Sequence, residues 1–313
     1  MINNYQELNR SFKKKLIFNF GYEAGFYSEL NNMILAIIYC LENEIQFIIY
    51  SKDANFTTKE GWNDFFLPFC DESTNVFHRY FNRRKHLDKG NTKQNIAKNV
   101  VTFLFRFIFP NTYLTSDLWQ VFHDRKMEEK KYSFPSLGVV NDDLQTTARA
   151  IISIVMRFNK KTESQIKRLQ DSINLPEQYV GFHIRRGDKI LESNEFSNQR
   201  YIEKSTQICA ACRSAFVLTD DYSVINELND KFNHWSFYTL TNPNEKGYEF
   251  SEYMNKSADE RRNDMIKLFA SMEILRNSSY FVGTYSANPG MFLGMSMEKG
   301  KTYGVDLDKW QIW

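Results

Sequence analysis

The sequence predicts an α/β protein of two domains built on parallel sheets, the C-terminal one doubly wound. Three observations carry this. The chain has 313 residues, enough for two domains of ordinary size. It opens with a strand, a loop, a helix-period stripe and a second strand. After residue 176, five short apolar runs of strand character alternate with helix-period segments, the pattern of an open parallel sheet covered on both faces.

Leu16 to Phe20 reads as a short buried strand and Gly21 to Gly25 as a loop. Leu30, Met33, Ile34, Ile37, Ile38 and Leu41 fall on one helical stripe, and Phe47 to Tyr50 forms the next strand. Parallel strands require such a crossover. Residues 52 to 140 are less regular. Trp62, Phe65, Phe66, Pro68 and Phe69 suggest a short packed helix or turn. Trp62, Tyr113 and Trp119 have the chemistry to stack on sugars, although such residues are more often core. The stretch Arg79 to Lys98, rich in Lys and Arg, reads as solvated surface. Phe103, Phe105, Phe107 and Phe109 alternate as in a strand, but their neighbours are apolar as well, so strand and helix both stay open.

Asp142 and Asp143 open a helix marked by Leu144, Ala148, Ile151, Ile152, Val155 and Phe158. Aspartate suits the positive end of a helix. The pattern fades near Leu169 and Pro176 follows, which places the domains at 1–175 and 176–313. Beyond the boundary the strands are Tyr179 to Ile184, Ala215 to Thr219, Ser236 to Leu240, Tyr280 to Gly283 and Thr302 to Val305. Helices are expected over Arg200 to Arg213, Tyr222 to Phe232, Asp259 to Asn277 and Pro289 to Met297.

Composition excludes several classes. Forty Lys plus Arg against 38 Asp plus Glu argue against a dedicated nucleic-acid binder. Met1 to Lys15 is polar, and the longest apolar run, Met33 to Leu41, is far short of the ~20 residues needed to span a bilayer. A soluble, cytoplasmic protein without an integral membrane segment is expected. Cys209 and Cys212 form a single C-x-x-C inside an expected helix; no second knuckle or nearby His pair completes a zinc site, so both are read as packing. Asp306-Leu307-Asp308 and Asp220-Asp221 look like metal motifs on paper, and Asp306 and Asp308 are read as solvated. No cofactor is expected.

In open parallel sheets ligands bind beyond the carboxyl ends of the strands. Three such ends carry unusual residues: Arg185, Arg186, Gly187, Asp188 and Lys189; Thr219, Asp220 and Asp221; Thr284, Tyr285, Ser286, Ala287 and Asn288. Arginine forks match phosphate oxygens. Thr284, Ser286 and the start of the following helix favour an anion. Asp220 offers acceptors for ribose or base. His183 shares the strand face of Arg185, which suits a ligand contact or simple packing. The set describes a pocket for a nucleoside diphosphate. Arg186-Gly187-Asp188 also matches an adhesion tripeptide, a match too short to carry weight.

The run Gly181-Phe182-His183-Ile184-Arg185-Arg186-Gly187-Asp188-Lys189 resembles the first motif of the fucosyltransferases of glycosyltransferase family 23. Val217-Leu218-Thr219-Asp220-Asp221 is similar to the second motif and Phe281-Val282-Gly283-Thr284-Tyr285-Ser286-Ala287 to the third. The resemblance covers about the last 140 residues; the Gly21 to Gly25 loop is similar only in character.

This resemblance implies a GT-B fold, two Rossmann-like doubly wound domains facing a cleft. It implies inverting, metal-independent transfer of fucose from GDP-fucose to a hydroxyl of an oligosaccharide or glycoconjugate. Arg185 would hold the β-phosphate, with His183, Arg186, Thr219, Asp220, Thr284, Ser286 and Gly21 as further donor contacts. The family's mammalian members place a catalytic Glu ten residues after the motif histidine. Here that position is Ser193, so the base falls to Glu192, then Asp188 or Glu195. An acidic residue expected before the third motif has Asp264 and Glu273 as candidates. The rival readings are an α1,2-type or protein O-fucosyltransferase, another GDP-sugar transferase, and a sugar-nucleotide binder that has lost catalysis.

Overall fold

The computed structural model describes residues 1–21, 24–82, 92–186 and 196–312. The chain divides into two compact units, Met1–Asn159 and Lys160–Trp313.

The N-terminal unit runs α1 (Ile2–Ser11), β1 (Lys14–Asn19), α2 (Phe26–Glu42), β2 (Ile45–Tyr50), α3 (Phe77–Phe81), α4 (Thr92–Ile108), β3 (Thr112–Leu114), α5 (Thr115–Phe122), β4 (Tyr132–Phe134), β5 (Val139–Asp142) and α6 (Leu144–Val155). Strands β2-β1-β3 form a parallel sheet, and β4 pairs antiparallel with β5. The expected strand–helix–strand opening is present. Helix α2 is buried on nearly every side, from Phe26 to Leu41, which matches an apolar content wider than one stripe.

Helix α1 forms in the polar start because Tyr5 and Asn9 are buried. Asn9 donates to the Phe47 carbonyl and accepts from the Phe47 amide at 2.9 and 2.7 Å, so its side chain substitutes for a further strand at the open edge of β2. Helix α4 settles the phenylalanine alternation: Phe103, Phe105 and Phe107 are helical. Trp62 is core, 1% exposed and stacked on Phe66 at 4.2 Å.

The C-terminal unit runs α7 (Lys160–Asp171), β6 (Val180–Ile184), α8 (Asn198–Ile208), β7 (Ser214–Thr219), α9 (Ser223–Lys231), β8 (Ser236–Tyr238), α10 (Phe250–Asn255), α11 (Ala258–Arg276), β9 (Tyr280–Gly283), α12 (Asn288–Ser296) and β10 (Thr302–Gly304). The five strands are parallel in the order β10-β9-β6-β7-β8, the doubly wound arrangement with its reversal between β6 and β9. One face of β6 and β7 presents Val180, Phe182, Ile184, Ala215 and Val217 to Tyr201, Ile202, Val224, Ile225 and Leu228 of α8 and α9. The other face meets α11. There Gly181 is the residue that allows the approach, since a Cβ would lie 2.8 Å from Leu275 Cδ2.

Three boundaries differ from expectation. The division between units falls at 159/160 rather than 175/176. The long helical pattern breaks between Val155 and Lys160, and α7 packs with α11. Asp143 does cap α6, accepting from the Thr146 amide at 3.0 Å. Helix α8 stops at Ile208, earlier than Arg213, so Cys209 and Cys212 lie in the turn before β7. Both are free thiols packed against the core of the unit.

Candidate active site

The reversal between β6 and β9 puts the ends of those strands side by side, and the residues just beyond them are the first to examine. Arg185 and Arg186 are consecutive, so strand alternation sends them to opposite faces. Arg186 joins the face of Phe182 and Ile184. Its guanidinium donates to Asn198 Oδ1 at 2.9 Å and to the Phe196 carbonyl at 3.5 Å, and Asn198, buried, donates in turn to Glu227 at 2.8 Å. Arg186 thus ties the end of β6 to the start of α8.

Arg185 shares the face of Gly181 and His183. Its Nε lies 3.9 Å from Asp220 Oδ2, its guanidinium carbon 5.8 Å from the centre of the Tyr248 ring, and its side chain is 27% exposed. The contact to Asp220 is at the outer limit of an ion pair. Tyr248 adds a cation–π contact that orients the planar fork. The guanidinium is braced from two sides and still reaches solvent.

Asp220, expected as a ribose or base contact, holds the backbone of the site together. Its Oδ1 accepts the Arg186 amide at 2.8 Å and its Oδ2 the Tyr248 amide at 3.2 Å. Its carbonyl accepts from Gly247 at 2.8 Å. One carboxylate therefore fixes the backbone that carries Arg185 and the loop that carries Tyr248. Thr219 is also committed to structure. Its hydroxyl bonds the Asp221 backbone at 3.2 Å, and its carbonyl accepts from Thr241 at 2.6 Å. Both residues position the site, because strand-end side chains close turns unless something else caps them.

His183 is 6% exposed. Burial first, and the Arg185 charge second, push its imidazole down to about 3, so it is neutral near pH 7 and unsuited to be a general base there. Its Nδ1 is buried with no hydrogen-bond partner among the described residues.

Beyond β9, Thr284 is half-buried and Ser286 exposed. The backbone here is held by Asp306, which accepts from the amides of Tyr285 and Ser286 at 2.8 and 2.9 Å and of Leu307 at 2.9 Å. Asp306 is thus not simply solvated, as its position near the chain end suggested. It follows β10, the neighbour of β9, and the carboxyl-end rule applied to that last strand would have found it. Helix α12 begins at once, and Gly290 lets it close: a Cβ there would lie 2.0 Å from the Thr284 carbonyl oxygen. Trp310 packs over Gly294 and donates to the Met291 carbonyl at 2.9 Å. The positive end of α12 and the hydroxyls of Thr284 and Ser286 therefore stand at the end of β9 beside β6.

Gly21 lies in the N-terminal unit just beyond β1. Its φ is +78°, and a Cβ would meet the Phe56 ring at 2.7 Å; its amide donates to buried Glu29 at 3.3 Å. Glycine here is explained by that turn and packing. Asp188, Glu192 and Glu195 lie outside the described residues. Asp264 and Glu273 pair with Lys256 and Arg276, each at 2.7 Å. Tyr248, Asn198 and Asp306 are the site residues that sequence reasoning missed; the first two sit where no periodic pattern marks them.

Comparison with known proteins agrees with this geometry. Residues 147–289 match the family model described as alpha-(1,6)-fucosyltransferase N- and catalytic domains, a segment that includes His183, Arg185, Asp220, Thr284 and Ser286. No curated protein sequence matches the chain. Among solved structures, the NodZ alpha-1,6-fucosyltransferase soaked with GDP-fucose aligns with a TM-score of 0.51 at 11% identity, covering 91% of this chain and 93% of that one. POFUT1 in complex with GDP-fucose gives 0.51 at 12% identity, covering 93% and 97%. A variant of Arabidopsis thaliana FUT1 in complex with GDP gives 0.50 at 9% identity, covering 96% and 76%. At such identities the structures speak for the fold. The structures give the fold, GT-B, and the family match, over somewhat less than half of the chain, gives the class: a glycosyltransferase of fucosyltransferase type, similar to the α1,6-fucosyltransferases of glycosyltransferase family 23.

Proposed function

We propose that the chain transfers fucose from GDP-fucose to a hydroxyl of a glycan acceptor, with inversion and without a bound metal. The observation that carries this is Arg185: a guanidinium at the sheet's reversal point, braced by Asp220 and Tyr248 yet open to solvent. The bond from fucose C1 to the diphosphate breaks, and its electron pair leaves with GDP. Negative charge grows on the β-phosphate, where Arg185, the Thr284 and Ser286 hydroxyls and the start of α12 would offset it. Buried His183 Nδ1, lacking a partner among the described residues, would gain one from the donor.

Inversion requires the acceptor oxygen to approach C1 from the opposite side while a carboxylate takes its proton. That carboxylate is assigned to Glu192, with Asp188 and Glu195 next. Metal independence is supported by Asp220 and Asp306, whose oxygens already serve backbone amides. A cytoplasmic location is part of the same reading, supported by the free thiols of Cys40 and Cys70, which suit a reducing compartment.

The test is direct. GDP at ~100 times its dissociation constant should stabilise the protein by ~2.7 kcal/mol in a thermal-shift series, with UDP and ADP inert. GDP-fucose should be consumed in the presence of glycan acceptors and EDTA. Stabilisation by UDP instead, or activity abolished by EDTA, would overturn the donor or the metal assignment respectively.

A further inference from the structure

The C-terminal unit carries a pair of thiols that the donor site does not use. Cys209 directly follows α8, and its amide donates to the Ser205 carbonyl at 2.9 Å. The Cys212 amide donates back to the Cys209 carbonyl at 3.3 Å, closing a turn over Ala210 and Ala211. Such a turn keeps its first and fourth Cα atoms less than about 7 Å apart, and a disulfide spans about 4.4–6.8 Å between Cα atoms. The backbone alone therefore brings the two residues to bridging range. Both cysteines are half-buried and both alanines are exposed, so a small oxidant can reach the turn.

The side chains converge as well. The Tyr280 hydroxyl, at the start of β9, shares a hydrogen bond with the Ser205 hydroxyl at 3.0 Å. The same hydroxyl hydrogen-bonds Cys212 and feels the charge of Cys209. Two thiols that reach one oxygen from a single turn lie on the same side of it. Among the described residues no third His, Cys, Asp or Glu joins them as a metal ligand, so the pair is suited to thiol–disulfide chemistry rather than to a metal centre. We propose that Cys209 and Cys212 form a reversible disulfide that staples the end of α8 to the start of β7. In the parallel sheet this turn lies at the amino end of the strands, opposite the carboxyl ends that carry Arg185 and Thr284. Oxidation therefore stiffens the unit and leaves the donor site open. The oxidant is a low-molecular-weight disulfide such as oxidised glutathione. One protein thiolate attacks it, forming a mixed disulfide and releasing one glutathione; the second protein thiolate then displaces the other glutathione. The protein gives up two electrons and two protons, and the oxidant becomes two thiols.

The experiment incubates the full chain with oxidised glutathione, then denatures it, alkylates the remaining thiols and maps tryptic peptides by mass. Two of the four cysteines should escape alkylation. Cleavage after Lys204 and Arg213 puts both positions in one peptide, 205–213, which should be about 2 Da lighter than its unalkylated reduced form. Dithiothreitol should restore all four thiols. In C209S or C212S the remaining thiol has no partner and should keep one glutathione. The oxidised wild type should melt a few degrees above the reduced chain, and its thermal shift with GDP should match that of the reduced chain. Wild type that stays fully alkylated, that retains glutathione at either position, or that bridges Cys40 to Cys70 instead would overturn the proposal. So would an oxidised chain that melts below the reduced one, or one that loses GDP binding while C209S/C212S keeps it. The thiol readout needs no sugar nucleotide, so its failure is distinguishable from failure of the donor assignment.

Discussion

Arg185 and Arg186 are neighbours with opposite tasks, and the difference is measurable. Arg185→Ala should cost ~2–4 kcal/mol of transition-state stabilisation, the range for loss of one preorganised donor, read as kcat/KM with GDP-fucose. Arg185→Lys should recover little, since an ammonium cannot reproduce a fork oriented by Tyr248 and Asp220. Arg186→Ala should instead lower stability, because buried Asn198 loses a partner, with a smaller effect on kcat/KM. Equal losses of rate in Arg185→Ala and Arg186→Ala would contradict the assignment. At this scale the sequence located the site through one rule, that ligands gather at strand ends. It could not say which strand-end residues face outward. Thr219, Asp220 and Arg186 carry the expected chemistry, and all three spend it on backbone and side-chain neighbours. Only strand parity, available from numbering alone, separates Arg185 from Arg186.

The turn between β9 and α12 is assembled by contacts distant in sequence. Asp306 supplies an acceptor to two successive amides, and Gly290 permits the first turn of α12 to sit on the Thr284 carbonyl. Asp306→Ala should leave those amides without an acceptor, lower stability by about 1–3 kcal/mol and raise KM for the donor more than it lowers kcat. Gly290→Ala should displace the start of α12 and weaken GDP binding with little change in the rest of the unit, as judged by calorimetric titration and circular dichroism. Unchanged GDP affinity in both variants would mean the turn does not contact the donor. The five strands of the C-terminal unit, and its helices other than α7 and α10, were legible because short apolar runs alternate there with helix-period segments. Short elements such as β3, β4 and β5 were not, since three or four residues carry no period. Helix α4 was ambiguous for another reason: its apolar residues are set by its exposed face rather than by burial.

Across the whole molecule, each unit encloses one histidine held neutral. His78 in the N-terminal unit is 2% exposed and pushed down to about 4 by burial; His183 in the C-terminal unit is pushed down to about 3. Unfolded, both titrate near 6.5. Above that pH neither state binds the proton and stability does not depend on it. Below, the unfolded chain takes up protons that the native units refuse, so stability falls as pH drops from about 6.5 toward the folded values. The slope is about 1.4 kcal/mol per pH unit for each histidine. Because the two residues belong to different units, His78→Gln and His183→Gln should each flatten one part of the response. Urea unfolding followed at about pH 7.5 and pH 5.5, with probes in each unit, tests this. A wild-type midpoint that does not move between those conditions would show that at least one imidazole is protonated in the folded protein. For His183 that result would place a cation beside Arg185, where the charge of both would have to be met by the diphosphate or by a carboxylate, and the neutral contact assigned to it would fall.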